Sequence, residues 1–176
     1  MHPAWQQRLT KSCGRYRPWL LDQASLTRRI QLRCAAFGVR HVHQRHGRAM
    51  NAERCQVGLG PHSRALLRDV FLYCGGTPVV FAHSVLPAAS LHGSWQRLGR
   101  LGAKPLGAAL FANPRVRRTP LQFTKLNSRH PLYRLATSRL SRAPASLWAR
   151  RSVFTLEGRP ILVTEVFLPG ILELPQ

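Results

Sequence analysis

Residues 151–168 read Arg151-Ser152-Val153-Phe154-Thr155-Leu156-Glu157-Gly158-Arg159-Pro160-Ile161-Leu162-Val163-Thr164-Glu165-Val166-Phe167-Leu168. Two runs rich in β-branched and aromatic residues flank the tight turn Glu157-Gly158-Arg159, the pattern of an antiparallel hairpin. Upstream, 66–73 and 78–86 form a second such pair around Cys74-Gly75-Gly76-Thr77, with Pro78 at a strand start, where its missing N–H does least harm. Helical spacings lie between. Pro18 to Leu21 leads to a helix capped by Ser25, in which Leu26, Ile30, Cys34 and Phe37 fall at i, i+4, i+8 and i+11 until Gly38 stops it. Leu91, Trp95, Leu98 and Leu101 repeat that spacing up to Gly102, and Pro105 opens a short helix through Phe111. Residues 39–58 read as a strand and then a loop, and 121–126 as a weak strand. The Ser-, Arg- and Pro-rich segment 127–147 carries the least structural signal, and 1–18 is a basic lead-in. Strands joined by hairpins and mixed with a few helices predict an α+β fold, an antiparallel sheet with helices on one face. A single domain spans 1–176.

Composition narrows the function classes. The chain has 27 Lys+Arg against 6 Asp+Glu, a formal net charge of +21, yet 44% of its residues are hydrophobic. That apolar share supports a packed core and argues against disorder. No apolar run approaches the ~18 residues of a membrane span. Residues 1–20 lack the apolar stretch of a secretory signal, so a cytoplasmic location is expected. The basic excess is 24 Arg to 3 Lys, and no acidic residue lies between Asp69 and Glu157. The planar guanidinium fork suits carboxylate and phosphate, so anionic partners are expected: a small acid, nucleic acid or an anionic membrane surface. The arginines are scattered rather than gathered on one helix face or interleaved with stacking aromatics, so no specific nucleic acid is predicted. A solvated basic surface accounts for most of the charge.

Cys13, Cys34, Cys55 and Cys74 contain no close pair of the kind that begins a zinc site. Without a secretory signal, disulfides are not expected either, and isolated thiols are the reading. His41, His43 and His46 resemble a metal cluster. On an extended chain, however, the first two share a face and the third takes the other, with Glu53 the one nearby carboxylate, so no metal site is predicted.

Counting in twos along the strands exposes two anomalies. One row holds Leu66, Arg68, Val70 and Leu72; another holds Ile161, Val163, Glu165 and Phe167. Each places a charge in an apolar row, and an unpaired buried charge costs several kcal/mol. Either Arg68 and Glu165 pair with each other, or these faces are solvated, or the two charges line a pocket for a small, mostly apolar acid.

Four blocks then carry a resemblance. The run Leu147-Trp148-Ala149-Arg150-Arg151-Ser152 through Pro169, the block Ser25-Leu26-Thr27-Arg28-Arg29, the strand Leu66-Leu67-Arg68-Asp69-Val70 with its return to Pro87, and Leu101-Gly102-Ala103-Lys104-Pro105-Leu106-Gly107 through Phe111 occur in the order found in bacterial chorismate pyruvate-lyases. The chain thus resembles a carbon–oxygen lyase that makes 4-hydroxybenzoate for ubiquinone synthesis. The resemblance implies a monomer with a six-stranded antiparallel sheet, helices packed on it, and an enclosed site that needs no cofactor. It puts the family's product-binding arginine on Arg68, its glutamate on Glu165, and two main-chain contacts on Leu26 and Leu106. Relatives carry Met at the position of Leu26, a change a backbone contact tolerates. They can also carry Arg where this chain has His83. Chorismate has two carboxylates, so His83 is expected either to face the second one or to serve as a hydrogen-bonded wall residue.

Two other function classes compete. The same fold resembles effector domains of bacterial transcription regulators, which would make the chain a non-catalytic sensor of small aromatic acids. Those domains follow a DNA-binding domain, and fewer than 25 residues precede the first matched block here. The charge alone would suit a basic nucleic-acid or membrane-surface protein. A milder form is a lyase in weak peripheral contact with an anionic membrane.

Overall fold

The computed structural model describes residues 4–175. In chain order its helices are α1 (Arg17–Leu21), α2 (Leu26–Gln31), α3 (Asn51–Arg54), α4 (Ala88–Leu91), α5 (Leu106–Ala112) and α6 (Pro131–Thr137). The strands are β1 (Phe37–Gly47), β2 (Ala65–Cys74), β3 (Thr77–Pro87), β4 (Arg117–Arg118), β5 (Gln122–Leu126), β6 (Leu147–Leu156) and β7 (Arg159–Phe167). Every pairing is antiparallel, in the order β1-β2-β3-β7-β6-β4, with β5 also on β6. The sheet thus has seven strands rather than six, and an isolated bridge between Gln6 and Phe123 extends the β5 edge. The one additional strand arises at Pro120, which cannot donate to a ladder and lies between the short pieces β4 and β5 on one edge.

The β6–β7 hairpin turns on Glu157 and Gly158, both with positive φ (52° and 74°), the handedness that matches the twist of paired strands. Register then pairs Leu156 with Arg159 and, further out, Arg150 with Glu165. In the β2–β3 hairpin a bulge between Leu72 and Tyr73 shifts the register by one, so Arg68 faces Ser84.

Helices cover both faces of the sheet, not one. On the front, Trp19 and Leu20 of α1 and Leu26 and Ile30 of α2 pack on Val70, Leu72 and Phe167. Farther along it, Leu106 and Leu110 of α5 meet Leu66, Phe154 and Val163. On the back, Leu132, Tyr133 and Ala136 of α6 pack on Phe71, Phe81 and Val166. Two-sided burial explains why the central strands read as continuous apolar runs. It also gives 127–147 a buried helix, which short polar punctuation had concealed. The lead-in is likewise built in, with Cys13 buried among the front-face residues.

The helix beginning at Leu26 stops at Gln31 instead of continuing through Phe37. The chain instead turns into β1, whose Phe37 pairs with Cys74. That register carries Cys34 to a Cα–Cα distance of 5.8 Å from Cys74, and the two form a disulfide, contrary to the expectation of free thiols. Cys13 and Cys55 remain free. The expected helix over Leu91 to Leu101 breaks at Gly93 into α4 and a 3-10 turn, Gln96–Arg100. Among the described residues no three His, Cys, Asp or Glu side chains are placed to hold a metal, and no helix is long and apolar enough to cross a membrane.

Candidate active site

Arg68 and Val70 on β2, Ala82 and Ser84 on β3, Val163 and Glu165 on β7, and Ser152 and Phe154 on β6 share the front face because each pair is two residues apart. With the first turns of α2 and α5 they enclose one cavity, which Leu26, Thr27, Leu106 and Gly107 also line. The two helix starts are in close contact: a Cβ on Gly107 would lie 3.1 Å from Thr27 Oγ1. First-turn N–H groups lack intrahelical acceptors, so both helices bring unused donors to this lip. Four of the five residues singled out in the sequence, Leu26, Arg68, Leu106 and Glu165, therefore meet in one place.

Arg68 is 1% exposed. Its Nη2 donates to the carbonyls of Gly102 and Lys104, both at 3.0 Å, tying the loop before α5 to β2. Its Nε is buried without a partner. Among the described residues no carboxylate lies within 4.0 Å of it, and burial pulls its pKa below the ordinary arginine range. It does not pair with Glu165. That carboxylate accepts instead from Arg150 Nε at 2.5 Å.

Arg150 is fully buried, and its Nη1 donates to the carbonyls of Trp19 (2.9 Å), Leu20 (3.3 Å) and Asp22 (2.6 Å). It therefore fastens the end of α1 to the sheet and holds Glu165 in place. Arg150 falls outside the strand expected from Arg151, because β6 begins four residues earlier, at Leu147. Counting outward from the Glu157-Gly158 turn would have paired it with Glu165.

A second unforeseen cation is Arg118 on β4, which also lines the cavity. Its Nε donates to Ser152 Oγ at 2.8 Å and its Nη1 to the Gln23 carbonyl at 2.9 Å, and it stacks 5.0 Å from the Phe154 ring centroid. Burial pushes its pKa down to about 10, with the field of Glu165 acting the other way. A two-residue strand leaves no periodic signal to find it by.

His83, expected either to face the second substrate carboxylate or to be a hydrogen-bonded wall residue, does not line this cavity. An unbroken two-residue hairpin would set it opposite Arg68. The bulge moves the register by one, and a one-residue shift exchanges the faces. On the back face its Nδ1 lies 2.5 Å from Asp69 Oδ1 and its Nε2 3.3 Å from Glu53 Oε1. Burial alone would lower its pKa. The bond to Asp69 and the proximity of Glu53 outweigh that and push it up to about 9. His83 is thus a cation at neutral pH, held between two carboxylates.

The cavity thus joins apolar walls, two guanidinium groups with no carboxylate within 4.0 Å among the described residues, and one anchored glutamate, a chemistry that suits a small organic acid. The family model described as chorismate lyase matches residues 4–174. A protein of Nitrosospira multiformis named "Probable chorismate pyruvate-lyase" is 50% identical over 97% of this chain and 95% of its own length. One of Azoarcus sp. with the same name is 50% identical over 99% and 97%. The chain belongs to the chorismate lyase family. Among solved structures, a GntR-family transcriptional regulator from Bacillus cereus is similar with a TM-score of 0.57 at 11% identity, over 77% of this chain and 93% of that one. The ligand-binding domain of a GntR-family regulator from Bordetella bronchiseptica matches with a TM-score of 0.54 at 18% identity, over 76% and 83%. At such identities the likeness is one of fold.

Proposed function

We propose that the protein cleaves chorismate to 4-hydroxybenzoate and pyruvate in the front cavity. The observation that carries this reading is Arg68, a buried guanidinium with an unpartnered Nε in an apolar cavity. Such a group is suited to receive a carboxylate by charge-assisted hydrogen bonds. In this reading Arg68 takes the ring carboxylate, and the backbone N–H groups at Leu106 and Leu26 complete the cradle. Glu165, oriented by Arg150, accepts from the C4 hydroxyl. Arg118 meets the enolpyruvyl carboxylate, one of the two roles open to His83 in the sequence.

The chemistry balances without an added reactant. The C3–O ether bond breaks, the hydrogen on C4 leaves, the ring becomes aromatic, and the enolpyruvyl methylene gains a hydrogen to become the pyruvate methyl. Aromatisation drives the reaction. The protein positions the ether, excludes water and stabilises charge as the bond breaks. The hydrogen either passes directly from C4 to the methylene or travels through Glu165. Deuterium at C4 tracked into the pyruvate methyl separates the two: retention supports direct transfer, and complete exchange under conditions that preserve the methyl label assigns a base. Glu165→Gln, which keeps shape and loses charge, lowers kcat in either case. An unchanged kcat would leave Glu165 a structural part.

A cytoplasmic monomer that supplies 4-hydroxybenzoate to ubiquinone synthesis is the setting we infer. The net charge of +21 supports weak contact with anionic membrane. Co-sedimentation with anionic but not neutral vesicles tests this, and equal recovery with both would end it. The regulators' resemblance is confined to fold, so a non-catalytic sensor is the weaker reading.

A further inference from the structure

The strands that build the front cavity carry a second polar row behind it. The neighbours of Arg68, Ser84, Glu165 and Arg150 point the other way, and they are Asp69, His83, Thr164 and Arg151. Register sets these four side by side across β2, β3, β7 and β6, with Gln122 of β5 beyond Arg151. At one end His83 lies between Asp69 and Glu53, one cation against two carboxylates. At the other end Arg151 is 5% exposed, and among the described residues it forms no ion pair within 4.0 Å.

The bonds of Arg151 leave part of its fork unused. Its Nε donates to Gln122 Oε1 at 2.8 Å and its Nη1 makes a long 3.5 Å contact with the Ala52 carbonyl. No hydrogen bond among the described residues uses its Nη2. The guanidinium lies 4.3 Å from the Trp5 ring centroid and lines a cavity of about 350 Å³. The apolar walls of that cavity are Trp5, Met50, Pro131 and Leu132. Its other polar groups are Asn51, Glu53 and His130, and two of these are already engaged. Glu53 accepts the Met50 N–H at 3.1 Å through Oε2 while Oε1 faces His83, and His130 Nδ1 accepts the Leu132 N–H at 3.2 Å.

Three arginines are buried on β2 and β6, and their circumstances differ. Arg150 has Glu165. Arg68 and Arg151 have no carboxylate within 4.0 Å among the described residues, and each faces its own cavity with apolar walls, that of Arg151 also lined by Glu53. A buried cation with no carboxylate in direct contact is costly unless an anion completes it. Burial also pulls the pKa of Arg151 down to about 10, against the field of Glu53.

We propose that the back cavity is a second binding site, for a small organic carboxylate with a compact apolar body, its carboxylate on Arg151 and its body against Trp5 and Leu132. A cavity of this volume with such walls suits a ring acid better than a bare inorganic anion. The proposal does not depend on what the front cavity does.

Fluorine NMR with 4-fluorobenzoate at millimolar concentration tests it on the full chain. Four forms are compared: the parent, Arg68→Met, Ala52→Trp and the double variant. Ala52 is exposed at the rim of the back cavity, so a tryptophan there blocks the cavity and leaves the bonds of Arg151 in place. The expected result is two sites in the parent, one in each single variant and none in the double. Each lost site weakens by about tenfold or more. Arg151→Met, where it folds, reproduces Ala52→Trp. Loss of all binding in Arg68→Met alone, or binding in that variant untouched by Ala52→Trp, would overturn the proposal, as would no binding by any form. If instead the front-site reading fails, binding ignores Arg68→Met and still disappears with Ala52→Trp.

Discussion

Arg68 does two things at once, and its substitution has two consequences. It holds the loop before α5 through two carbonyls, and it keeps one N–H in reserve. Arg68→Ala removes a charge-assisted contact worth about 2–3 kcal/mol, so kcat/KM for chorismate falls by about 30- to 150-fold. Activity within twofold of the parent would remove Arg68 from the anchor role. Arg118→Met has a different signature, because only the substrate carries a second carboxylate. It raises KM for chorismate about tenfold or more while the affinity for 4-hydroxybenzoate stays within about threefold, measured by steady-state kinetics and calorimetry. Equal losses for both ligands would contradict that assignment. Arg68 and Glu165 were legible in the sequence as charges inside apolar rows, a pattern that needs only the two-residue period of a strand. Arg118 was not, because β4 is too short to have a period. The face of His83 was not legible, because the β-bulge between Leu72 and Tyr73 that sets it leaves no mark in the sequence.

Elements reveal a different limit. Leu26, Ile30, Cys34 and Phe37 fit a helical face, and the real helix keeps only the first two before the chain reverses into β1. Tertiary pairing with β2 overrode the local pattern, since Phe37 gains a partner in the sheet that a helix could not supply. The same reversal creates the Cys34–Cys74 bond, which ties the segment after the lip helix α2 to the end of the strand that carries Arg68. Closing 40 residues into a loop restricts the unfolded chain by about 4 kcal/mol in the chain-entropy account. Chemical denaturation of Cys34→Ser/Cys74→Ser therefore shows a loss approaching that figure, and reduction of the parent moves its stability toward the variant's. Identical midpoints with and without reductant would mean that the bond does not form in solution. The two hairpins were the most legible elements, because a Gly turn between β-branched runs specifies local pairing with little help from the rest of the fold.

At the scale of the whole molecule, charge is the dominant feature, and one buried group links it to stability. His83 has a folded pKa of about 9 against an ordinary value of 6.5. The folded state thus holds its proton more tightly than the unfolded state. That contribution, about 3 kcal/mol, is fully present below pH 6.5 and is lost as pH rises through about 9. Denaturation midpoints should fall across that window, and the fall should be absent in His83→Asn, which is less stable at neutral pH because Asp69 and Glu53 lose their cation. A flat profile in the parent would mean that the histidine is not charged. The composition announced a basic protein with a core and stopped there; which arginines are buried, and on which face, only the register decides. Chorismate turnover by the purified protein, with 4-hydroxybenzoate and pyruvate followed together for the parent and Arg68→Ala, tests what the front cavity does. Equimolar products that fall together in the variant are the predicted result. Saturable 4-hydroxybenzoate binding with no turnover, or turnover untouched by Arg68→Ala, would contradict it.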